Sequence, residues 1–539
     1  MVGTIFLGLG QAAKYCQRLC PRVSLWRGCE WCWPLAIFDR GTSFEMSAWQ
    51  ELRGLNTRFV RMLALTGMLL VAGGLEISSK GAVADSDLWW HLSVGNWIVQ
   101  HHTFPHTGIL SRTAADRPWI AHSWGFEVLL SKAYSWFGLV GVGLLSLILQ
   151  LGFVYSLFWT LRRISGRFWA AWLMTLVGFY AFHGDIVPRP MLFTILLFTI
   201  EASLILVAHR SGDLKRLYWL PLLFFVWSNF HIQFFYGLFL ITLLTAVVGA
   251  QQLATRLHLE SPYLLPPVLR VEPLLRITAA CFLATLVSPY SYHLYQVGFR
   301  YLHGNAFHAF YGEFAPLDFR NAAHYVQLLI TAGAFFAVGR QRKVDLFKLA
   351  MLLVCTLVGF RASRDAWFIC IPAIACVADS LAGGAEQEEF ETLTYKGVVA
   401  AILIVLLFLM ARNYDYTNAG LLRAASLRFP AKAVAFIRQN QLSGPIYNTE
   451  NWGGFLMWAA PEYPVAIDGR IELYGDDVEF RYMQVLQGAP FYASDPDVKT
   501  ARVLLVERLF PLSWRLEADP HFQFVYQDPI ADVFVPSAR

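Results

Sequence analysis

DSDLWWHLSVGNWIVQHH, residues 85–102, and RPWIAHSW, residues 117–124, bracket the stretch whose reading decides the fold. It follows the first long apolar run at once, yet it carries two carboxylates, several histidines and a cluster of tryptophans. Such a segment does not stay in hydrocarbon without partners, so the chain must leave the bilayer here and return to it later. That makes the protein polytopic, with residues 78–137 as its first external loop.

The composition agrees. Apolar residues are 56% of the 539 and charged residues 15%, and the mean hydropathy is +0.45, values of a polytopic α-helical membrane protein. A formal net charge of +5 is small for this length and gives no support to a nucleic-acid partner. Cys281, Cys355, Cys370 and Cys376 sit inside apolar runs and act as small hydrophobes, so no disulfide framework is implied. Cys16, Cys20, Cys29 and Cys32 form a CxxxC and a CxxC set too close together for common zinc modules. Residues 1–45 lack both the basic lead of a signal peptide and the length of a span, which makes Met46 a candidate start. From there a short cytoplasmic segment ending near residue 58 leads into the first span.

About eleven runs have the apolar character of spans: 59–77, 138–161, 167–183, 191–209, 217–229, 234–251, 274–288, 324–339, 346–360, 366–381 and 395–411. The stretch 217–250 reads either as one long helix or as two that turn at Asn229, Phe230 and His231. Loop charge decides between them. With two helices, LRRISGR (161–167), HRSGDLKR (209–216), the segment holding Arg256, Arg270 and Arg276, and GRQRK (339–343) all fall on the cytoplasmic side. The acidic loop AEQEEFE (385–391) falls there too, but Asp and Glu count little in that rule. The expected fold is therefore a helical membrane domain over 59–411, N-terminus inside, followed by a small extracytoplasmic α/β domain over 412–539. In that domain PAKAVAFIRQN reads as an amphipathic helix, GPIYN, PVAIDG and ARVLLVE as strands, and FQFVYQDPIADVFVP as a hairpin.

This topology gathers the polar residues of several loops on the outer face. Asp87 and Asp85 are candidates for a general base, while the plainer roles for them are a helix cap or an ion pair with an arginine. Arg189, Arg320, Arg361 and Arg364 are candidates for binding phosphate, since guanidinium binds it bidentately and keeps its charge at an interface. His91, His122, Trp124 and His231 are candidate substrate contacts, and Asp85, Asp87, His91 and His122 a candidate set for a divalent Mg or Mn ion. Trp89, Trp90, Trp97, Trp119 and Trp124 read first as an interfacial belt. Asp468 and Arg470 read either as contacts to the acceptor or the membrane core, or as a salt bridge within the C-terminal domain.

An Asp-x-Asp opening the first external loop, then WHL (90–92), a Gly-x-x-Ile step (95–98), PW (118–119) and His-x-Trp (122–124) resemble the GT-C superfamily of membrane glycosyltransferases. The similarity is to its uncharacterised bacterial branch, related to dolichyl- and polyprenyl-phosphate-sugar mannosyltransferase-like proteins. PRPMLF (188–193), WSNFHIQFFYG (227–237), LVSPYSYHLY (286–295), EFAPLDF (313–319), RASRDAWF (361–368), NWGGFLMW (451–458) and AIDGRIELYG (466–475) extend it over nearly everything after Met46. The resemblance implies transfer of a sugar from a polyprenyl-phosphate-linked donor to a glycan, lipid or protein acceptor, outside a bacterial inner membrane. It implies a carboxylate of the first external loop as base without selecting between Asp85 and Asp87, and it leaves metal dependence open. A transporter or flippase of lipid-linked sugars and a non-catalytic membrane assembly protein are the alternative classes. The topology has its own test: a reporter fused after Asp415 is expected to be active only outside the membrane, and cytoplasmic activity would remove an odd number of spans.

Overall fold

The computed structural model describes residues 43–182, 188–303, 309–382 and 393–537. The four N-terminal cysteines, the 183–187 part of the turn before Pro188, and the acidic loop lie outside the described residues. The chain divides into a unit of residues 1–61 and a unit of residues 62–539, so the C-terminal segment belongs to the same compact unit as the apolar helices.

Within the described residues each of the eleven apolar runs is helical over most of its length. In order the helices are α1 (Ser43–Ser79), α2 (Asp87–His101), α3 (Trp124–Phe137), α4 (Leu139–Ser165), α5 (Phe168–Phe182), α6 (Met191–Ser211), α7 (Leu220–Phe230), α8 (Phe234–Arg256) and α9 (Val271–Thr285). Then follow α10 (His293–His303), α11 (Ala322–Gly339), α12 (Leu346–Arg361), α13 (Trp367–Ser380), α14 (Leu393–Asn413), α15 (Asn418–Ala425) and α16 (Ala431–Gln439). Among the described residues, Arg58–Ser79, Leu139–Ser165, Met191–Ser211, Phe234–Arg256 and Ala322–Gly339 are each long and apolar enough to cross a bilayer alone. Gly397–Asn413 of α14 passes the same test together with α15, as a pair bent by 58°. Large apolar side chains such as Ile148, Leu173, Leu283, Leu329, Leu357 and Ile404 point outward, the arrangement of a bundle whose solvent is lipid.

Polar clusters mark the two ends of the bundle. Arg189 precedes α6 and His209 sits near its far end, a separation of about 30 Å at 1.5 Å per residue, which is the thickness of a hydrocarbon core. At the His209 end, Nε2 lies 2.9 Å from Asp345, Lys348 Nζ donates to Asp379 at 2.7 Å, and Arg210 bonds the Ile164 carbonyl at 2.8 Å, which ties together α4, α6, α12 and α13. The helix break in 217–250 falls where the two-helix reading places it. His231 has extended backbone angles between α7 and α8, and its ring meets Thr194 Oγ1 at 2.7 Å, while Trp227 Nε1 donates to the same hydroxyl at 2.8 Å.

The C-terminal segment adds β1 (Ile446–Asn448), α17 (Glu450–Ala459), α18 (Ile471–Leu486), α19 (Pro496–Thr500), β2 (Val503–Glu507), α20 (Pro511–Ala518), β3 (Phe522–Gln527) and β4 (Ala531–Pro536). The sheet order is β1-β2-β4-β3. β1 runs parallel to β2, with Ile446 opposite Val503, and the β3–β4 hairpin is antiparallel, with an irregularity between Phe524 and Tyr526. At the Asp-Pro turn, Asp528 Oδ1 accepts from the Ile530 and Ala531 amides. PVAIDG is not a strand of this sheet. Its Val465 bridges Ser111, donating to the Leu110 carbonyl and accepting from the Arg112 amide, so the first loop satisfies its backbone.

Trp89, Trp90 and Trp119 are core rather than belt, while Trp97 and Trp124 are half-buried. Trp89 is fully buried against Phe429, Phe455 and Trp458, and Trp90 and Trp119 are nearly so, because the loop carrying them is roofed by the C-terminal segment. Underneath, α2 crosses α3 so closely that a Cβ on Gly95 would overlap the Glu127 carbonyl oxygen. Gly95→Ala is therefore expected to lower the thermal stability of the solubilised protein by the ~1–3 kcal/mol of an overpacked contact. Gly67→Ala, where nothing lies within 4 Å, is the control expected to be near neutral.

Candidate active site at the first turn of α2

The site is built on the N-terminus of α2. Asp85 Oδ1 accepts the Asp87 amide at 2.8 Å, which satisfies one of the helix's free N–H groups and fixes the spacing of the two carboxylates. Arg189, delivered by the turn before α6, reaches both: its Nε lies 2.8 Å from Asp85 Oδ2 and its Nη1 3.0 Å from Asp87 Oδ2. The same Nη1 lies 3.2 Å from Glu313 Oε2. Glu313 in turn receives Arg364 Nη1 at 2.9 Å on its other oxygen. Ser363 donates to the Glu313 carbonyl at 3.1 Å, and Arg364 stacks over Phe314 at 4.6 Å, so the loop 312–319 and the turn after α12 form one unit. Beside them Asp365 accepts from Tyr236 at 2.7 Å and from Gln233 at 3.1 Å.

Charge balance in this network is strained. Burial pushes the Asp87 carboxyl up, the Arg189 charge works against that, Asp85 and Glu313 add to it, and the result is about 7. Burial disfavours the charge on Arg189, but Asp87, Asp85 and Glu313 outweigh it and hold the guanidinium proton more firmly than usual. Burial raises Asp365 as well, against the opposing charge of Arg364. Asp87 thus keeps a proton affinity near neutrality while touching a cation, a pairing that suits a general base.

The remaining candidates divide. His91 turns away from the aspartates, its Nδ1 3.0 Å from Glu127 Oε1. Burial pushes the Glu127 carboxyl up and the His91 ring down, which leaves a neutral hydrogen-bonded pair. His122 is 3.9 Å from Glu472, and Trp124 Nε1 donates to Asn229 at 2.9 Å, joining the loop to the α7–α8 break near His231. Asp85, Asp87, His91 and His122 do not come together as a metal set, since Arg189 fills the space the aspartates face. No group of three or more His, Cys, Asp or Glu side chains among the described residues is placed to hold an ion. Arg320 and Arg361 are exposed and outside the ion-pair network that joins Arg189 and Arg364.

Sequence reasoning passed over the carboxylates facing this turn. Glu313 and Asp365 stand within quoted motifs, but nothing in their spacing pairs them with arginines on other helices. From the C-terminal segment, Glu472 accepts from Trp119 Nε1 at 2.9 Å and from Tyr301 at 3.0 Å. Glu479 accepts from Tyr311 at 3.0 Å. Burial, against the Tyr311 hydrogen bond, pushes Glu479 to about 8, and burial together with Glu479 raises Glu450.

Asp468 and Arg470 form a fully buried salt bridge at 2.7 Å within the C-terminal segment. Asp468 also accepts from Tyr474 at 2.6 Å, while Arg470 donates to the Ile109 carbonyl at 2.9 Å and lies 4.8 Å from the Trp119 ring, in the loop that carries Asp87.

Neither a protein-family model nor a curated protein matches the chain. Among solved structures it is similar to ArnT from Cupriavidus metallidurans bound to undecaprenyl phosphate, at 14% identity over 87% of this chain and 98% of that one, with a TM-score of 0.44. The apo state of the same protein aligns at 12% identity over 86% and 97%, with a TM-score of 0.45.

Removing one member of a buried pair strands the other charge. Arg470→Met is expected to cost about 3–5 kcal/mol in unfolding of the solubilised protein, and Asp468→Leu/Arg470→Met to recover a large part of it.

Proposed function

We propose that this protein is a membrane glycosyltransferase that moves a sugar from a polyprenyl-phosphate-linked donor to an acceptor hydroxyl at the outer face of a bacterial inner membrane. One observation carries the reading: a carboxyl with proton affinity near neutrality, Asp87, touches Arg189, and Arg189 is joined through Glu313 to Arg364. The motif resemblance supports it from the sequence side.

In the proposed step Asp87 takes the proton of the acceptor hydroxyl as that oxygen bonds to the anomeric carbon. The bond from that carbon to the phosphate oxygen breaks, and its electron pair leaves with the phosphate. Arg189 and Arg364 stabilise the growing negative charge. Glu313, 39% exposed, is the most accessible carboxylate on these arginines and the partner a phosphate would displace. Asp85 is a positioning residue in this scheme, because one of its oxygens caps α2 and the other holds Arg189. Arg320 and Arg361, exposed and outside the ion-pair network, have no part in the step. What supports a reaction site over a transport path is that these groups meet at one end of the bundle, beside a turn roofed by the C-terminal segment.

Sugar transfer by purified protein from a defined polyprenyl-phosphate donor tests the reading. Asp87→Asn is expected to fold and to lose roughly 10²–10⁴-fold in rate, and wild-type rates in Asp87→Asn would remove Asp87 as the base. Because the base acts only when deprotonated, kcat/KM should fall below a pH near 7, well above the usual carboxylate range. The Arg189 charge lowers the Asp87 proton affinity, so Arg189→Ala should move that limb to higher pH, while Arg364→Ala should chiefly raise KM for the donor.

A further inference from the structure

The turn IDGR, residues 467–470, is where the C-terminal segment presses on the turn that carries Asp87. A Cβ on Gly469 would overlap Asp87 Oδ1 and lie 3.1 Å from Trp90 Nε1. Gly469 does not have a positive φ, so the backbone conformation itself would accept an alanine. What excludes one is the Asp87 carboxylate. A second glycine repeats the contact one element earlier: a Cβ on Gly454 in α17 would lie 2.9 Å from both the Ser86 carbonyl oxygen and the Trp90 amide nitrogen. The segment therefore meets the first turn of α2 with bare backbone at two points, one against the main chain and one against the carboxylate.

Neither surface is free to retreat. Flanking Gly469, the Asp468–Arg470 pair is fully buried and is fastened to Tyr474, to the Ile109 carbonyl and to the Trp119 ring. Tyr474 reaches Ser111 at 3.1 Å, and Thr113 bonds the Ala466 carbonyl. On the other side of Asp87, Arg189 holds Oδ2 at 3.0 Å. The carboxylate is thus set between a cation on one oxygen and the Gly469 backbone beside the other.

We infer that the C-terminal segment forms one wall of the reaction site, and that Gly469 is a positioning residue whose missing side chain keeps the Asp87 carboxylate aligned on Arg189. This rests on the assignment of Asp87 as the base. Gly469 acts through Asp87 and needs no contact with substrate. A methyl group there must displace the carboxylate or the whole first turn of α2, and either displacement spoils the alignment of Asp87 on Arg189.

The test compares full-length Gly469→Ala, Asp87→Ala, their double variant and Asp87→Asn by sugar transfer and by thermal unfolding in detergent. Folded Gly469→Ala should lose about 10²-fold in kcat, the scale of a 1 Å misplacement. Its donor KM should stay close to wild type, because the arginines are untouched, and its acidic limb should shift from the wild-type position as the Asp87–Arg189 alignment changes. A merely structural glycine would not shift that limb. Gly469→Ala should also lower the unfolding temperature when Asp87 is present and lose most of that effect in the Asp87→Ala background, where the overlapping oxygen is gone and only the 3.1 Å approach to Trp90 Nε1 remains. That comparison decides the contact even if the single variant folds poorly. A wild-type rate and pH profile in folded Gly469→Ala, or a stability loss undiminished by Asp87→Ala, would overturn the inference. Wild-type transfer in Asp87→Asn would instead sink the base assignment, and the stability comparison would still report on the contact.

Discussion

Arg189 holds the site together. One guanidinium, brought by the turn before α6, meets Asp85, Asp87 and Glu313, which come from the first loop and from the loop before α11. Without it three carboxylates would face one another in a partly buried space, where like charges raise each other's proton affinity and separate the segments that carry them. With it, three stretches far apart in sequence share one charge centre, and α6 fixes that centre to the bundle. The cation also restrains the rise that burial imposes on Asp87. Structural cohesion and the proton affinity of Asp87 therefore have one cause.

The C-terminal segment completes what Arg189 begins. A soluble domain joined by a flexible linker would leave the first loop exposed to water. Here the two are bound through buried polar groups: Tyr474 and Arg470 reach Ser111 and Ile109, and Glu472 collects Trp119 and Tyr301. Burial against this roof raises several carboxyl groups at once, Asp87 and Glu479 among them. Beside Asp87 the roof replaces water with protein, which strengthens every charge interaction there.

Much of the architecture was legible because hydropathy and loop charge are local quantities. Each apolar run is helical over most of its length within the described residues, and the break at His231 falls where the distribution of arginines required a turn. The small mixed sheet also follows from short alternating or apolar stretches, except for PVAIDG, whose apolar pattern is used against the first loop instead of a strand. Loop assignment places residues on a face but not beside one another, and this is why four arginines looked equivalent. Arg189 and Arg364 meet through Glu313, while Arg320 and Arg361 stay exposed. The metal set failed for a related reason: carboxylate and imidazole suit an ion, but Arg189 already occupies the aspartates and Glu127 takes His91. Tertiary pairing of this kind leaves no mark on residue spacing. A buried glutamate gives even less warning. Glu201 lies in the middle of α6, fully buried with neither carboxyl oxygen hydrogen-bonded, and the apolar run around it conceals it.

The placement of Gly469 near one end of the chain and Asp87 near the other has a consequence for biogenesis. A polytopic protein enters the membrane helix by helix as it is made, so α2 and Arg189 are in place while most of the chain is still unsynthesised. Asp87 must wait for nearly the last part of the protein to emerge, fold its sheet and close over the loop. Until then the aspartate lacks the burial that pushes its carboxyl up. Chain order thus acts as a delay, and a ribosome that stops early releases an inserted bundle in which the aspartate lacks its roof.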